Sequence, residues 1–75
     1  MSSVEEIERL LTDALAPTEL DVVDVSASCG SAFDVSIVSA KFTGVGRLQR
    51  HRMVHEALGD VMSRVHAMKI DAKAP

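Results

Sequence analysis

Aromatic residues are nearly absent from this sequence, which has two Phe, no Tyr and no Trp among its 75 residues. Too few rings are present to form a stacking platform for nucleic-acid bases. Hydrophobic residues still make up 47% of the chain, a proportion typical of globular proteins. The sequence therefore predicts one domain, residues 1–75, with an aliphatic core and no deep enzyme cleft.

Cysteine is almost absent as well, because Cys29 is the only one. A single cysteine excludes an internal disulfide and a C-x-x-C thiol–disulfide enzyme. No apolar run approaches the roughly 18 residues of a membrane-spanning helix, and the acidic, polar start, with Glu5 and Glu6, is unlike a presequence. We expect no membrane association and a cytoplasmic location, with the nucleus as a further location in a eukaryotic cell.

An overall positive charge is also lacking, since eleven Asp and Glu oppose eight Lys and Arg. The resulting charge of −3 excludes a protein whose whole surface binds nucleic acid. Four cations nevertheless occur in a stretch free of acidic residues: Lys41, Arg47, Arg50 and Arg52. They are candidate contacts for DNA phosphates or other anions, although balancing the acidic surface would explain them equally well.

Hydrophobic periodicity predicts an α+β domain in the order α-β-β-α-β. Helical spacing covers residues 3 to about 16, β-type residues cover 20–25 and 33–37, a second and longer helix covers 48–65, and a strand covers 68–72. The first two strands form an antiparallel pair. The second and third strands flank a helical crossover and are expected to be parallel. The prediction is a three-stranded mixed sheet with both helices on one face, a two-layer sandwich.

The second predicted helix carries its apolar stripe at Val54, Leu58 and Met62. His51 borders this stripe, so we expect it to be partly buried and to donate a hydrogen bond to a backbone carbonyl. Met53 points away from the stripe on a helical wheel, which predicts an exposed side chain that could anchor a protein partner.

Catalytic patterns are missing. His51 and His55 have the i, i+4 spacing of a zinc protease helix, but Arg52 stands where that motif requires Glu. The serines lack a G-x-S-x-G setting, and no histidine lies near Cys29 in the sequence. We therefore expect no enzymatic activity.

Several segments together resemble the BolA-like family, and the resemblance covers most of the chain. They are Phe42-Thr43-Gly44, the run from Leu48 to Val54, Leu58, Met62, Val65-His66-Ala67-Met68 and Pro75. The resemblance implies a fold related to type II KH domains and a partnership with monothiol glutaredoxins. It also implies a 2Fe-2S cluster shared with that partner and with glutathione, and links to DNA binding and transcriptional control.

The resemblance also implies two metal ligands. The family's terminal His-Ala pair maps to His66, and its second ligand lies in the loop between the first two strands, where this chain has Cys29. A cysteine at this place is typical of the cytosolic-type subgroup. Without the resemblance, Cys29 would be interpreted as an inert loop cysteine.

The number of ligands indicates how such a cluster is held. A 2Fe-2S cluster takes four ligands, and Cys29 and His66 supply two, so the other two must come from outside the chain. The resemblance implies that a glutaredoxin cysteine and a glutathione sulfur supply them, so that a monomer of this chain forms a heterodimer with a glutaredoxin and takes part in iron-sulfur trafficking or iron sensing. One alternative is a nucleic-acid-binding regulator that uses the four cations, and another is a homodimeric site of two cysteines and two histidines, which would suit zinc equally well.

Overall fold

The computed structural model describes residues 4–26 and 31–75. Its elements are helix α1 (Val4–Leu15), strand β1 (Glu19–Asp24), strand β2 (Ala32–Val38), a 3-10 turn (Ala40–Phe42), helix α2 (Arg47–Leu58), helix α3 (Val61–Arg64) and strand β3 (Ala67–Lys73). The sheet order is β1-β2-β3. Strands β1 and β2 are antiparallel and β2 and β3 are parallel, which confirms the predicted mixed sheet. None of the described helices is long and apolar enough to cross a membrane.

One face of the sheet carries the core. Alternate strand residues place apolar side chains on this face, and α1 and α2 pack against it. The buried residues are Val22, Phe33, Val35, Ile37 and Ala72 from the sheet and Ile7, Leu11, Leu15, Val54 and Leu58 from the two long helices. The predicted start of α1 at Ser3 lies outside the described residues.

The second helix is shorter than predicted, because α2 ends at Leu58 and does not continue to residue 65. Gly59 follows with φ +53°, and its N–H donates to the carbonyl oxygen of His55 at 3.0 Å. Glycine adopts positive φ without the steric cost that other residues meet, and such a residue ends a helix. The chain then makes the separate short helix α3, so the prediction of one continuous helix over 48–65 is wrong.

Met53 is not the exposed residue that the helical wheel predicted. Its side chain is partly buried and packs against the core, and it lines a shallow depression between α1 and α2 with Ala14 and Leu15. Helix α1 lies beside α2, so the core-facing arc of α2 is wider than a stripe that meets the sheet alone. His51 is partly buried, as predicted, but within residues 4–26 and 31–75 its ring makes no hydrogen bond to a backbone carbonyl.

A buried serine joins three parts of the fold at the end of β2. The hydroxyl of Ser39 donates to the carbonyl oxygen of Leu15 at 2.6 Å and accepts the N–H of Lys41 at 3.1 Å. Its own N–H donates to the carbonyl oxygen of Lys73 at 3.0 Å. Because each polar group is satisfied, the burial of Ser39 carries no desolvation penalty of an unpaired group.

Candidate functional site

His66 lies in the bend between α3 and β3, and its side chain is exposed. Its backbone N–H donates to the carbonyl oxygen of Ser31 at 2.8 Å, and the N–H of Ala67 donates to the same oxygen at 3.2 Å. Ser31 immediately precedes β2, which pairs with β3 in parallel register from Ala32 and Ala67 onward. The parallel register therefore brings His66 to the C-terminal end of the β1–β2 loop.

Two further contacts, both made by Arg64, stabilise the backbone just before His66. The hydroxyl of Ser31 donates to the carbonyl oxygen of Arg64 at 3.4 Å, and the Arg64 guanidinium forms an ion pair with Glu6 of α1 at 3.2 Å. No sequence pattern predicted that Ser31, Arg64 and Glu6 belong to this site. Their contacts join positions 33 and 58 residues apart, and no short-range pattern signals a contact over such separations.

Cys29, the second predicted ligand, lies outside the described residues, between Ser26 and Ser31. Two peptide units separate Cys29 from Ser31 in the sequence, and two units reach at most about 7 Å. The convergence of Cys29 and His66 stays a prediction. The position of Ser31 against His66 is the structural observation that favours it.

The other end of the loop is anchored as well. The N–H of Ser26 donates to a carboxylate oxygen of Asp24 at 2.8 Å, and the Ser26 hydroxyl accepts the N–H of Ala32 at 3.0 Å. Hydrogen bonds from the side chain and backbone of Ser26 hold the pKa of Asp24 below its ordinary value. Asp24 is therefore ionised at neutral pH, and its carboxylate stabilises the turn that leads into the loop.

The ring nitrogens of His66 make no hydrogen bond within the part of the chain that the structure describes. Either ring nitrogen is therefore accessible to a metal. The described part of the chain contains no group of three or more His, Cys, Asp or Glu side chains that could hold a metal ion. The assignment of His66 as a ligand of a shared site stays a prediction.

Arg50, one of the four candidate anion-binding cations, contacts the protein's own backbone. Its Nε donates to the carbonyl oxygen of Ala72 at 2.8 Å, and its Nη1 donates to that of Val45 at 2.6 Å. The side chain is partly buried. Arg50 thus joins α2 to the C-terminal part of β3, and a substitution there would change the fold together with the charge.

The other three cations, Lys41, Arg47 and Arg52, are exposed. Lys41 borders the depression between α1 and α2, which Glu56 also lines. Arg47 and Arg52 are five residues apart on α2, which separates them by about 140° around the helix axis. Contacts of these three residues with nucleic acid or other anions stay a prediction.

The nucleic-acid prediction has a specific test in this arrangement. If Lys41, Arg47 and Arg52 all contact duplex phosphates, log affinity should fall with log salt at a slope of up to about −2.7. Changing Arg47 and Arg52 to Gln should reduce the slope to about −0.9 and leave the melting temperature unchanged. Fluorescence anisotropy with labelled duplex DNA measures the slope, and an unchanged slope in the double variant would contradict the contacts.

The amino-acid sequence of the chain is similar to those of known proteins. A family model described as BolA-like protein matches residues 11–75. The chain is 46% identical over 70 residues to Protein BOLA2 of Arabidopsis thaliana, covering 93% of this chain and 75% of that protein. It spans 56% to 59% of three other curated relatives.

Solved structures match over the whole chain. A bol-like protein from Babesia bovis superimposes with a TM-score of 0.95 at 39% identity, covering 100% of this chain and 87% of that one. BolA1 from Arabidopsis thaliana superimposes with a TM-score of 0.88 at 31% identity, covering 100% and 95%. Both similarities extend over the sheet, the helices and the bend that carries His66.

Proposed function

Since the chain belongs to the BolA-like family, we propose that it is a non-enzymatic adaptor that binds a monothiol glutaredoxin with glutathione and shares a 2Fe-2S cluster with them. BolA-like proteins are generally regulatory or adaptor proteins rather than enzymes. The cluster is cargo that the two proteins hold together, in iron-sulfur trafficking or in iron sensing.

The observation that carries this proposal is the position of His66. The imidazole is exposed, and the backbone N–H of His66 donates at 2.8 Å to Ser31, which lies two residues after Cys29 in the sequence. An imidazole and a thiolate are two ligands of the kind that 2Fe-2S clusters take, and His ligation raises the reduction potential of such a cluster.

The two cluster ligands that this chain does not supply support a monothiol glutaredoxin with glutathione as the partner. Two more thiolates are needed, and a monothiol glutaredoxin and glutathione supply one each. Because metal binding requires deprotonated ligands, this chain contributes a neutral imidazole at His66 and a thiolate at Cys29. Its role is to orient both groups at one end of the sheet.

Reconstitution of the mixed complex tests the proposal. The purified chain, a monothiol glutaredoxin, glutathione and iron and sulfide salts are combined anaerobically, and visible circular dichroism is recorded. We expect a spectrum that differs from that of the glutaredoxin homodimer and reaches saturation at one chain per glutaredoxin. A spectrum identical to that of the glutaredoxin alone, at every ratio, would contradict the proposal.

The alternative to the mixed complex is a homodimer in which two copies of the chain share one zinc ion. Sedimentation velocity of the chain with zinc alone measures its mass, and we expect a monomer. A zinc-dependent dimer with one metal per two chains would favour the site of two cysteines and two histidines.

A further inference from the structure

Helix α2 carries two of the three histidines of the chain. His51 and His55 are four residues apart, which separates them by only about 40° around the helix axis and by about 6 Å along it. Their Cβ atoms are therefore neighbours on one side of the helix, about 5–6 Å apart. Neither histidine has a part in the proposed cluster site, which uses His66.

This side of α2 faces away from α1. The two helices meet at the depression that Leu15 of α1 and Met53 and Ala57 of α2 line. Met53 is two residues from His51 and two residues from His55, and a separation of two residues corresponds to about 160° around the axis. The two histidines therefore lie on the flank of α2 opposite its contact with α1.

Both imidazole rings are available to a ligand from solvent. His55 is exposed and His51 is partly buried. Among residues 4–26 and 31–75, no group forms a hydrogen bond with either ring, so each neutral imidazole keeps one nitrogen lone pair for another molecule. The partial burial of His51 restricts the orientations of its ring, which lowers the entropy lost when the ring binds a ligand.

Two histidines with this spacing form a chelating pair. Histidines at positions i and i+4 of a helix project from one face and bind the same metal ion. Metal–nitrogen bonds of about 2.0–2.1 Å place the two ring nitrogens roughly 3 Å apart, a separation that rings reach by leaning toward each other. Imidazole nitrogen suits zinc, nickel and copper, whereas magnesium and calcium prefer oxygen ligands.

We propose that His51 and His55 form a binding site for a divalent metal ion of the zinc, nickel and copper class, separate from the proposed cluster site. The described part of the chain has no group of three or more His, Cys, Asp or Glu side chains that could hold a metal ion, so water completes the coordination. Arg52 stands where a zinc protease helix has its general base. The site therefore binds the metal without hydrolytic chemistry.

Charges near the pair act in both directions. His55 lies in the last turn of α2, where the partial negative charge of the helix C-terminus favours a cation. The exposed Glu56 beside it adds negative charge, whereas the exposed Arg47 and Arg52 add positive charge. With two protein ligands and this charge balance, we expect weaker binding than at a zinc site that has three or four protein ligands.

Titration of the free chain with Ni²⁺ tests the site in the absence of glutaredoxin, glutathione and cluster. Isothermal titration calorimetry gives the dissociation constant, and we expect one nickel ion per chain. His55→Ala should raise the dissociation constant at least about tenfold, because even groups that only orient a metal ligand contribute roughly 10–100-fold. His55 is exposed, so the fold should survive, which far-UV circular dichroism checks.

Two controls separate chelation from the mere presence of histidine. His66→Ala removes the histidine that has no partner on α2, and its dissociation constant should stay within about twofold of that of the unmodified chain. The double variant His55→Ala/Glu56→His keeps three histidines but places the new one about 140° around the axis from His51. We expect this variant to bind nickel as weakly as His55→Ala does.

A second measurement locates the ion without substitution, because the unpaired electrons of Ni²⁺ broaden nearby NMR signals. In ¹⁵N-labelled chain, the amide signals of His51, Arg52 and His55 should lose intensity first. The same loss should occur in His66→Ala and disappear in His55→Ala. Signals that broaden first elsewhere in the chain would overturn the proposal.

The calorimetric outcomes are equally decisive. A dissociation constant that His55→Ala leaves unchanged overturns the proposal, and so does loss of nickel binding in His66→Ala or Cys29→Ala, which would assign the ion to the predicted cluster ligands. The result is independent of the proposed function. A chain that binds nickel through His51 and His55 but forms no mixed complex with glutaredoxin supports the metal site and contradicts the adaptor role.

Discussion

Replacing His66 with Ala should destabilise the mixed cluster more than any other single change in the described residues. Groups that merely orient a ligand contribute roughly 10–100-fold to metal affinity, so loss of the ligand itself should shorten the cluster lifetime at least that much. His66 is exposed, and its hydrogen bond to Ser31 comes from the backbone. The fold should therefore survive, and visible circular dichroism should report the loss of the cluster alone.

His55→Ala is the matched control for this substitution. His55 is also exposed, but it lies on α2 and is not one of the predicted cluster ligands. We expect its cluster spectrum and lifetime to equal those of the unmodified chain. Unchanged values in His66→Ala as well would remove His66 from the ligand set. Cys29→Ala in the same assay tests the second ligand, and we expect it to loosen the cluster without unfolding the domain.

Phe42→Ala should produce the largest loss of stability. Phe42 is fully buried, with 0% exposure, in the 3-10 turn between β2 and α2. Removing a buried phenylalanine ring costs about 3–5 kcal/mol, because packing is lost and a cavity remains. The whole free energy of unfolding of a small domain is about 5 kcal/mol or somewhat more, so most of the stability should be lost.

Urea unfolding followed by far-UV circular dichroism measures this effect. Lys41→Ala, at the exposed neighbouring position, is the control and should stay within about 0.5 kcal/mol of the unmodified chain. Phe42→Leu keeps much of the buried volume, and its unfolding midpoint should lie between the other two. A Phe42→Ala midpoint equal to that of Lys41→Ala would show that the ring does not hold the turn against the core.

The apolar spacing predicts most of the fold, and it does so because it is a local property. Alternation in Phe33, Val35 and Ile37 marks β2, and the observed strand extends only one residue beyond it at each end. The same reasoning failed at Gly59, because the apolar stripe continues into α3 and hides a break in the backbone. Whether a glycine uses positive φ depends on the path the chain takes next, which spacing does not encode.

The candidate site, like the fold, could be predicted from the sequence only in part. His66 and Cys29 can be named from the sequence through the family resemblance, and the count of two ligands needs no structure. The grouping of Arg50 with the other cations was a reasonable interpretation of charge order along the chain. Only the folded molecule showed that two backbone carbonyls occupy its guanidinium.

By itself, the sequence determined the α+β class, the aliphatic core, the single cysteine and the lack of a catalytic motif, and through the resemblance it implied two cluster ligands. The tertiary structure decided which residues meet at the end of the sheet. The parallel register of β2 and β3 pairs Ala32 with Ala67 and places Ser31 against His66. These contacts join residues that are far apart in the chain, so they arise from the packing of whole strands and cannot be predicted from the local order of side chains.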